Sequence, residues 1–251
     1  MKKIAIVTGA SSGMGLEAVK QIIAKYTTLD EVWVLARRTE RLDSLAASVR
    51  KCKVVCITAD LTKECDREIL FGKLQEEKPF VKILVNAAGF GQIGKFMGID
   101  AQKSVDMCEL NCVALTDITH MCLKYMHAGS RILQFASAAA FMPQPEFAVY
   151  AATKAYVLSF SRALNKELKK RRITVTAVCP GPVKTEFFDV AQTTGKMKAY
   201  KMLAMADAKE VVAKAIVDAE EEKDVSVYGL PMQIFRVLAK IIPHRWLLFF
   251  F

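Results

Sequence analysis

The chain opens with a short apolar run, Ile4-Ala5-Ile6-Val7. It stops at Thr8 and passes through Gly9, Gly13 and Gly15 into an amphipathic stretch from Leu16 to Lys25. A run this short, closed by glycine, reads as a buried strand and not as a helix. The glycines let the backbone turn sharply between that strand and the helix that follows. A strand feeding a helix in this way begins a right-handed crossover, whose second strand lies parallel to the first.

The same alternation continues along the chain. Strands are predicted at Glu31–Ala36, Lys53–Ile57, Val81–Asn86, Arg131–Phe135, Thr174–Val178 and Val225–Tyr228. Helices are predicted at Glu40–Val49, Asp66–Glu77, about Gln102–Met126, Val149–Lys170 and Asp207–Glu221. Strands that alternate with helices build a parallel sheet covered on both faces, a doubly wound α/β fold. The 251 residues suit one such unit, and no repeat, low-complexity tract or linker divides 1–251. A 53% hydrophobic content excludes a disordered chain. No run approaches the ~18 apolar residues of a membrane span. Lys2 and Lys3 lead into a strand and not into the core of a signal peptide, so a cytoplasmic protein is expected.

Such sheets bind ligands at the carboxyl ends of their strands. There the loop Thr8-Gly9-Ala10-Ser11-Ser12-Gly13-Met14-Gly15 opens a helix, whose positive N-terminus suits a pyrophosphate. Its spacing, G-x-x-x-G-x-G, differs from the common dinucleotide pattern, so its context carries the reading. The second strand ends Ala36-Arg37-Arg38, where an NAD-binding chain carries an acid for the ribose 2′-hydroxyl. Two guanidinium groups, with Ser12 adding a hydroxyl, instead suit a 2′-phosphate. The expected cofactor is NADP(H).

Tyr150 and Lys154 stand one helical turn apart, with Ser137 thirteen residues upstream of Tyr150. Positions i and i+4 share a helix face. A cation about 5 Å from a phenol, at an effective dielectric of about 20, favours the phenolate by roughly 3 kcal/mol. That is about two pKa units, enough to bring a tyrosine into range as an acid/base. Ser137 can hold a substrate oxygen where charge develops.

Together these motifs resemble the short-chain dehydrogenase/reductase family, in its branch of similar length. The resemblance implies a Rossmann-like seven-stranded sheet of order 3-2-1-4-5-6-7 and reversible hydride transfer between nicotinamide and a carbonyl or secondary alcohol. By the same resemblance, Thr8, Gly9, Gly13 and Gly15 are the cofactor loop, and Asp60-Leu61 meets the adenine. Asn86-Ala87-Ala88-Gly89 matches the family's N-N-A-G, with Ala at its second place. Asn111 is the helix asparagine that holds a proton-relay water. Ser137, Tyr150 and Lys154 are the catalytic trio, Lys154 also binding the nicotinamide ribose. Pro180-Gly181, Val183 and Thr185 seat the nicotinamide.

The substrate is less defined. The loop after strand five carries Phe141 and Phe147. A lid over about residues 186–206 carries Phe187, Phe188, Met197, Tyr200, Met202, Leu203 and Met205. Such side chains suit a bulky apolar ligand, or pack the lid on the core. A hydroxysteroid or bile acid is the leading expectation, with a fatty-acyl or other small carbonyl compound as the alternative. A non-catalytic NADP(H) sensor is the reading from another class. The four residues Asn111, Ser137, Tyr150 and Lys154 favour the enzyme.

A net charge of +10 is scattered along the chain, which argues against nucleic acid as a partner. The seven cysteines form no C-x-x-C pair and read as reduced thiols, with no metal site. In the apolar segment 231–251, positions 234, 235, 237, 238, 241 and 242 are expected to form one helical face. That face suits packing in a homodimer or homotetramer. Peripheral membrane contact through Arg236, Lys240 and Arg245 is the rival.

Overall fold

The computed structural model describes residues 1–191 and 205–249. Seven parallel strands form one sheet in the order β3-β2-β1-β4-β5-β6-β7. They are β1 (Lys3–Thr8), β2 (Glu31–Ala36), β3 (Lys53–Thr58), β4 (Phe80–Asn86), β5 (Arg131–Phe135), β6 (Thr174–Val178) and β7 (Val225–Ser226). The fold is Rossmann-like, as the sequence implies.

Alternation along the strands builds the two layers. Ala5, Val7, Val32 and Val34 face α1 (Gly13–Lys25), α2 (Thr39–Ser48) and α8 (Ala208–Glu220). Ile4, Ile6, Trp33 and Leu35 face α3 (Glu64–Glu77), α5 (Leu115–Leu123) and α6 (Ala148–Leu168). Because both faces are covered, β2 is buried along its whole length. Each fully buried Ile or Leu contributes about 1.5–3 kcal/mol, so the sheet centre holds its strands in a fixed register. Order reverses about β1, which pairs with β2 on one side and β4 on the other. The crevice at its carboxyl end is therefore where the chain can take a ligand.

Three expectations need correction. The long helix over 102–126 is two helices, α4 (Ala101–Cys108) and α5, joined by a π-helical stretch at Glu109–Ala114. Hydrophobic periodicity does not separate α from a short π segment, and such segments frequently mark functional sites. The seventh strand is two residues long, not four. It pairs with β6 only at Ala177↔Val225 and Val178↔Ser226. Lastly, the six apolar positions of the tail do not share one face. In α9 (Leu230–Ile241), Ala239 is buried and Met232 and Phe235 are half-buried, as is Ile242 just beyond it. Leu230, Ile234, Val237, Leu238 and Ile241 are exposed. The reason is that the helix lies against Ala138–Phe141 and Gly181, so only its inner stripe meets protein.

Helix α10 (His244–Leu248) follows α9, and α7 (Phe187–Ala191) begins the lid. The lid residues Met197, Tyr200, Met202 and Leu203, and the terminal Phe250 and Phe251, lie outside the described residues. Among the described residues no helix is long and apolar enough to cross a membrane.

Candidate active site

The glycine loop lies flat against the end of β4. Thr8 Oγ1 accepts from the amides of Ala87 and Ala88, both at 3.1 Å. Gly9 has φ +68°, and a Cβ there would sit 2.8 Å from the Ala88 nitrogen. A Cβ on Gly15 would collide with the Gly9 carbonyl oxygen. Only glycine allows these contacts, and they fix the start of α1. The Ser12 side chain makes no capping bond there. The first N–H groups of α1 thus lack an intrahelical partner and add to the positive end of the helix dipole. A pyrophosphate fits that donor set.

Beside the loop, Arg38 donates to Ser11 Oγ through Nε at 3.2 Å and Nη2 at 3.0 Å, and to Ser12 Oγ at 2.7 Å. Its third nitrogen pairs with Glu186 at 2.9 Å. Arg41 pairs with the other Glu186 oxygen at 2.6 Å. Hydrogen bonds from Arg41 and Arg38 hold that carboxyl below its ordinary range. A guanidinium flanked by two hydroxyls is a phosphate-binding set, with a carboxylate already upon it. Arg37 is exposed and stands outside this cluster. Sequence reasoning missed Arg41 and Glu186. Arg41, three residues beyond Arg38 on the first turn of α2, was findable from spacing; Glu186 was not.

Tyr150 lies on α6 in a cage of aromatic rings. Phe147 stacks on it at 4.3 Å between centroids, and Phe187 is at 5.4 Å. Gly91 makes room, since a Cβ there would lie 2.7 Å from the Tyr150 ring. Lys154, one turn on, donates to the Phe135 carbonyl at 2.7 Å, and its ammonium lies 5.6 Å from the Tyr150 ring centroid. The helix therefore places the pair as the spacing predicts.

The electrostatic expectation fails, however. Burial pushes the Tyr150 phenol up to about 12, although a hydrogen bond from Ser137 pulls it the other way. Burial also lowers Lys154 to about 8. The Coulomb argument assumed a solvated pair; in an apolar cage, desolvation penalises both charged forms.

Asn111 is fully buried within the π stretch. Its amide donates to the Phe90 carbonyl and to Thr153 Oγ1, both at 3.0 Å, and its Oδ1 accepts from the Phe90 amide at 3.1 Å. Both amide protons are spent, so any water held by the side chain must donate to Oδ1. A Cβ on Gly89 would lie 2.9 Å from Asn111 Oδ1 and 3.3 Å from Lys154 Nζ. The loop 86–89 thus closes directly over these two groups. Phe90, Gly91 and Thr153 have no sequence signal of their own.

Of the other expected contacts, Asn86 is buried and Asp60 is half-buried. The Asn86 amide nitrogen donates to Thr119 and Gln134 inside the core. Asp60 Oδ1 accepts from the Thr62 hydroxyl and amide at 2.8 and 3.2 Å, a turn-closing role, and Leu61 is buried.

A cavity of about 290 Å³ opens beside Ser137 and Tyr150. Met14, Pro180, Gly181, Val183 and Thr185 form one part of its wall, and Ser137 and Tyr150 another. Phe147, Phe187 and Phe188 line the rest, together with Met232 and Phe235 from α9. Phe141 is not on this wall. It packs behind it, 6.2 Å from the Phe235 ring, so Phe235 of α9 stands where Phe141 is expected. A shallower hollow of about 420 Å³, lined by Met1, Lys78, Lys124 and His127 among others, contains none of these groups.

All seven cysteines are free thiols. Burial raises Cys112 to about 11 and Cys179 to about 12, which makes them poor nucleophiles at neutral pH.

Comparison with known proteins accords with this geometry. The short chain dehydrogenase model matches residues 3–196. A "Dehydrogenase/reductase SDR family protein 7-like" of Dictyostelium discoideum is 32% identical over 76% of this chain, which spans 62% of that relative's length. A short-chain dehydrogenase from Sphingobium yanoikuyae in complex with NADPH superposes with a TM-score of 0.81 at 27% identity, over 97% of this chain and 96% of the other. A bulky-bulky ketone specific alcohol dehydrogenase from Comamonas testosteroni does so at 0.75 and 27%, over 96% and 94%.

Proposed function

The chain belongs to the short-chain dehydrogenase family and is an oxidoreductase; on that premise we propose that it interconverts a ketone and a secondary alcohol with NADP(H), on a bulky lipophilic substrate. The observation that carries this reading is the shared cavity. One wall is built from Met14, at the end of the glycine loop, and the segment after strand six, the other from Ser137, Tyr150 and aromatic rings.

The residues have distinct roles in it. The uncapped start of α1 takes the pyrophosphate, and Arg38 with Ser11 and Ser12 takes the 2′-phosphate. The NADPH in the Sphingobium yanoikuyae neighbour supports the same choice. A nicotinamide held beside Pro180, Gly181, Val183 and Thr185 would supply the hydride chemistry. Ser137 orients the substrate oxygen. Tyr150, protonated at neutral pH, donates to a carbonyl oxygen as it gains charge. Lys154, anchored on the Phe135 carbonyl, would hold a ribose hydroxyl of the cofactor. Asn111 holds the Phe90 backbone and Thr153 in place and keeps one Oδ1 lone pair for a water.

The wall supports the proposed substrate class. Phe147, Phe187, Phe188, Met232 and Phe235 offer apolar surface and only a few polar groups to a ligand. A hydroxysteroid or bile acid fits, and the likeness to a bulky-ketone enzyme supports that size class. The test is a screen of steroid, fatty-acyl and small ketones for NADPH oxidation. Turnover of bulky ketones with a strong preference for NADPH over NADH is expected. Turnover confined to small polar carbonyls, or equal use of both cofactors, would overturn the reading.

A further inference from the structure

Helix α9 works as a partition. Its inner stripe, Met232 and Phe235, forms part of the cavity wall. A Cβ on Gly181 would lie 2.7 Å from the Met232 sulfur, so this side is seated closely. Its outer stripe is apolar as well: Leu230, Ile234, Val237, Leu238 and Ile241 are 44–72% exposed. At 100° per residue these five span about a third of the helix circumference. Gln233, Arg236 and Lys240 fall on one flank of that stripe. Beyond α9, Trp246 is 61% exposed beside Arg245.

Charge decides what covers such a face. No Asp or Glu occurs after Asp224, while Arg236, Lys240 and Arg245 do. A two-fold partner would present the same patch to itself. That would bring these cations together with no carboxylate from the segment between them. An anionic lipid surface meets the same patch with opposite charge and with apolar depth for the outer stripe. Tryptophan is enriched at that boundary. Apolar face, flanking cations and an interfacial aromatic are the features of a helix that lies in the plane of a membrane.

We propose that the outer face of α9, with Lys240, Arg245 and Trp246, docks the protein on an anionic lipid surface. The helix, about 10 Å across with its side chains, is then all that separates the lipid from the substrate cavity. An apolar substrate dissolved in that surface reaches the cavity by a short path.

Full-length protein sedimented with vesicles tests this, and the measurement needs neither nucleotide nor substrate, so it stands apart from the proposed reaction. The protein should pellet with vesicles of mixed phosphatidylglycerol and phosphatidylcholine and stay in solution with phosphatidylcholine alone. At low salt each basic residue contributes about fivefold, so Lys240→Gln with Arg245→Gln should weaken partition about 25-fold. Val237→Asp with Ile241→Asp should abolish it. Both variants should retain the native melting temperature and far-ultraviolet circular dichroism, because all four residues are exposed. Failure to pellet with anionic vesicles would overturn the proposal. If light scattering then shows a dimer that Val237→Asp with Ile241→Asp splits, the face belongs to a second copy. Binding that survives in that variant would place the lipid contact elsewhere and overturn the proposal too.

Discussion

The two ends of the sheet treat buried charge in opposite ways. At the amino end Glu31 is 4% exposed, and at the carboxyl end Lys154 is 5% exposed. Glu31 meets three donors, Trp33 Nε1 at 2.8 Å, Lys53 at 2.9 Å and Lys2 at 3.0 Å. Burial pushes its carboxyl up, but these bonds together outweigh burial and hold it down at about 2. Lys154 meets a carbonyl and no carboxylate, and burial lowers it to about 8. Similar surface exposure therefore goes with opposite outcomes: Glu31, near the sheet's end, has cationic partners, whereas the deeper Lys154 has no carboxylate. The amino end pairs its buried charge; the carboxyl end keeps Tyr150 neutral and brings Lys154 down to about 8, near enough to neutral pH to exchange a proton.

The largest break in this contrast should come at Tyr150. Tyr150→Phe keeps the stacked ring and removes the proton, so kcat should fall ~10²–10⁴-fold while the melting temperature holds. Stopped-flow or steady-state rates beside a thermal melt check both halves. Retention of more than about a tenth of the rate would remove Tyr150 from the chemistry.

Next in size is Arg38. Hydrogen bonds from charged groups contribute ~1.5–3 kcal/mol each, so Arg38→Ala should cost about 10² in kcat/KM for NADPH and little for NADH. An equal loss with both cofactors would mean that the guanidinium only braces the loop.

At the other end, Glu31→Ala should leave kcat intact and lower stability by ~2–3 kcal/mol, read from urea unfolding, because it strands the buried Trp33 N–H. The pH dependence of stability separates the two ends further. Glu31 is lowered from 4.5 to about 2, so the unfolded chain binds its proton more readily. Its contribution is complete above about 4.5 and lost as pH falls toward 2. Lys154 is lowered from 10.5 to about 8, so stability should climb between those values as the unfolded chain alone keeps the proton. Measured without nucleotide, the climb should vanish in Lys154→Met. A climb that persists belongs to another group.

The smallest effect is expected at Glu186. It lies across Arg38 and Arg41, with both partners nearly half exposed. An exposed pair contributes ~0.2–1 kcal/mol, so Glu186→Gln should tighten NADPH up to about fivefold, by fluorescence titration. Weaker binding would show that the carboxylate orders the arginines and does not compete with the phosphate.

Much of this was legible before folding. Strands at Glu31–Ala36, Arg131–Phe135 and Thr174–Val178 fall where the apolar runs place them. Thr8, the three loop glycines and the Tyr150–Lys154 turn are local patterns, and local patterns encode backbone conformation. The π stretch around Asn111 was not legible, because a bulge of a few residues leaves the apolar period of the flanking helices unchanged.

What the sequence determined by itself is therefore the βα alternation, the glycine turn under the first helix and the one-turn spacing of Tyr150 and Lys154. Each depends on neighbours within a few residues. The tertiary structure decided which aromatic rings wall the cavity, where Phe235 stands in front of Phe141. It placed Glu186 on Arg38 across 148 residues of chain. It turned an expected acidic tyrosine into one raised to about 12. These outcomes depend on water being excluded by side chains that meet only when distant segments pack, and no local spacing records that.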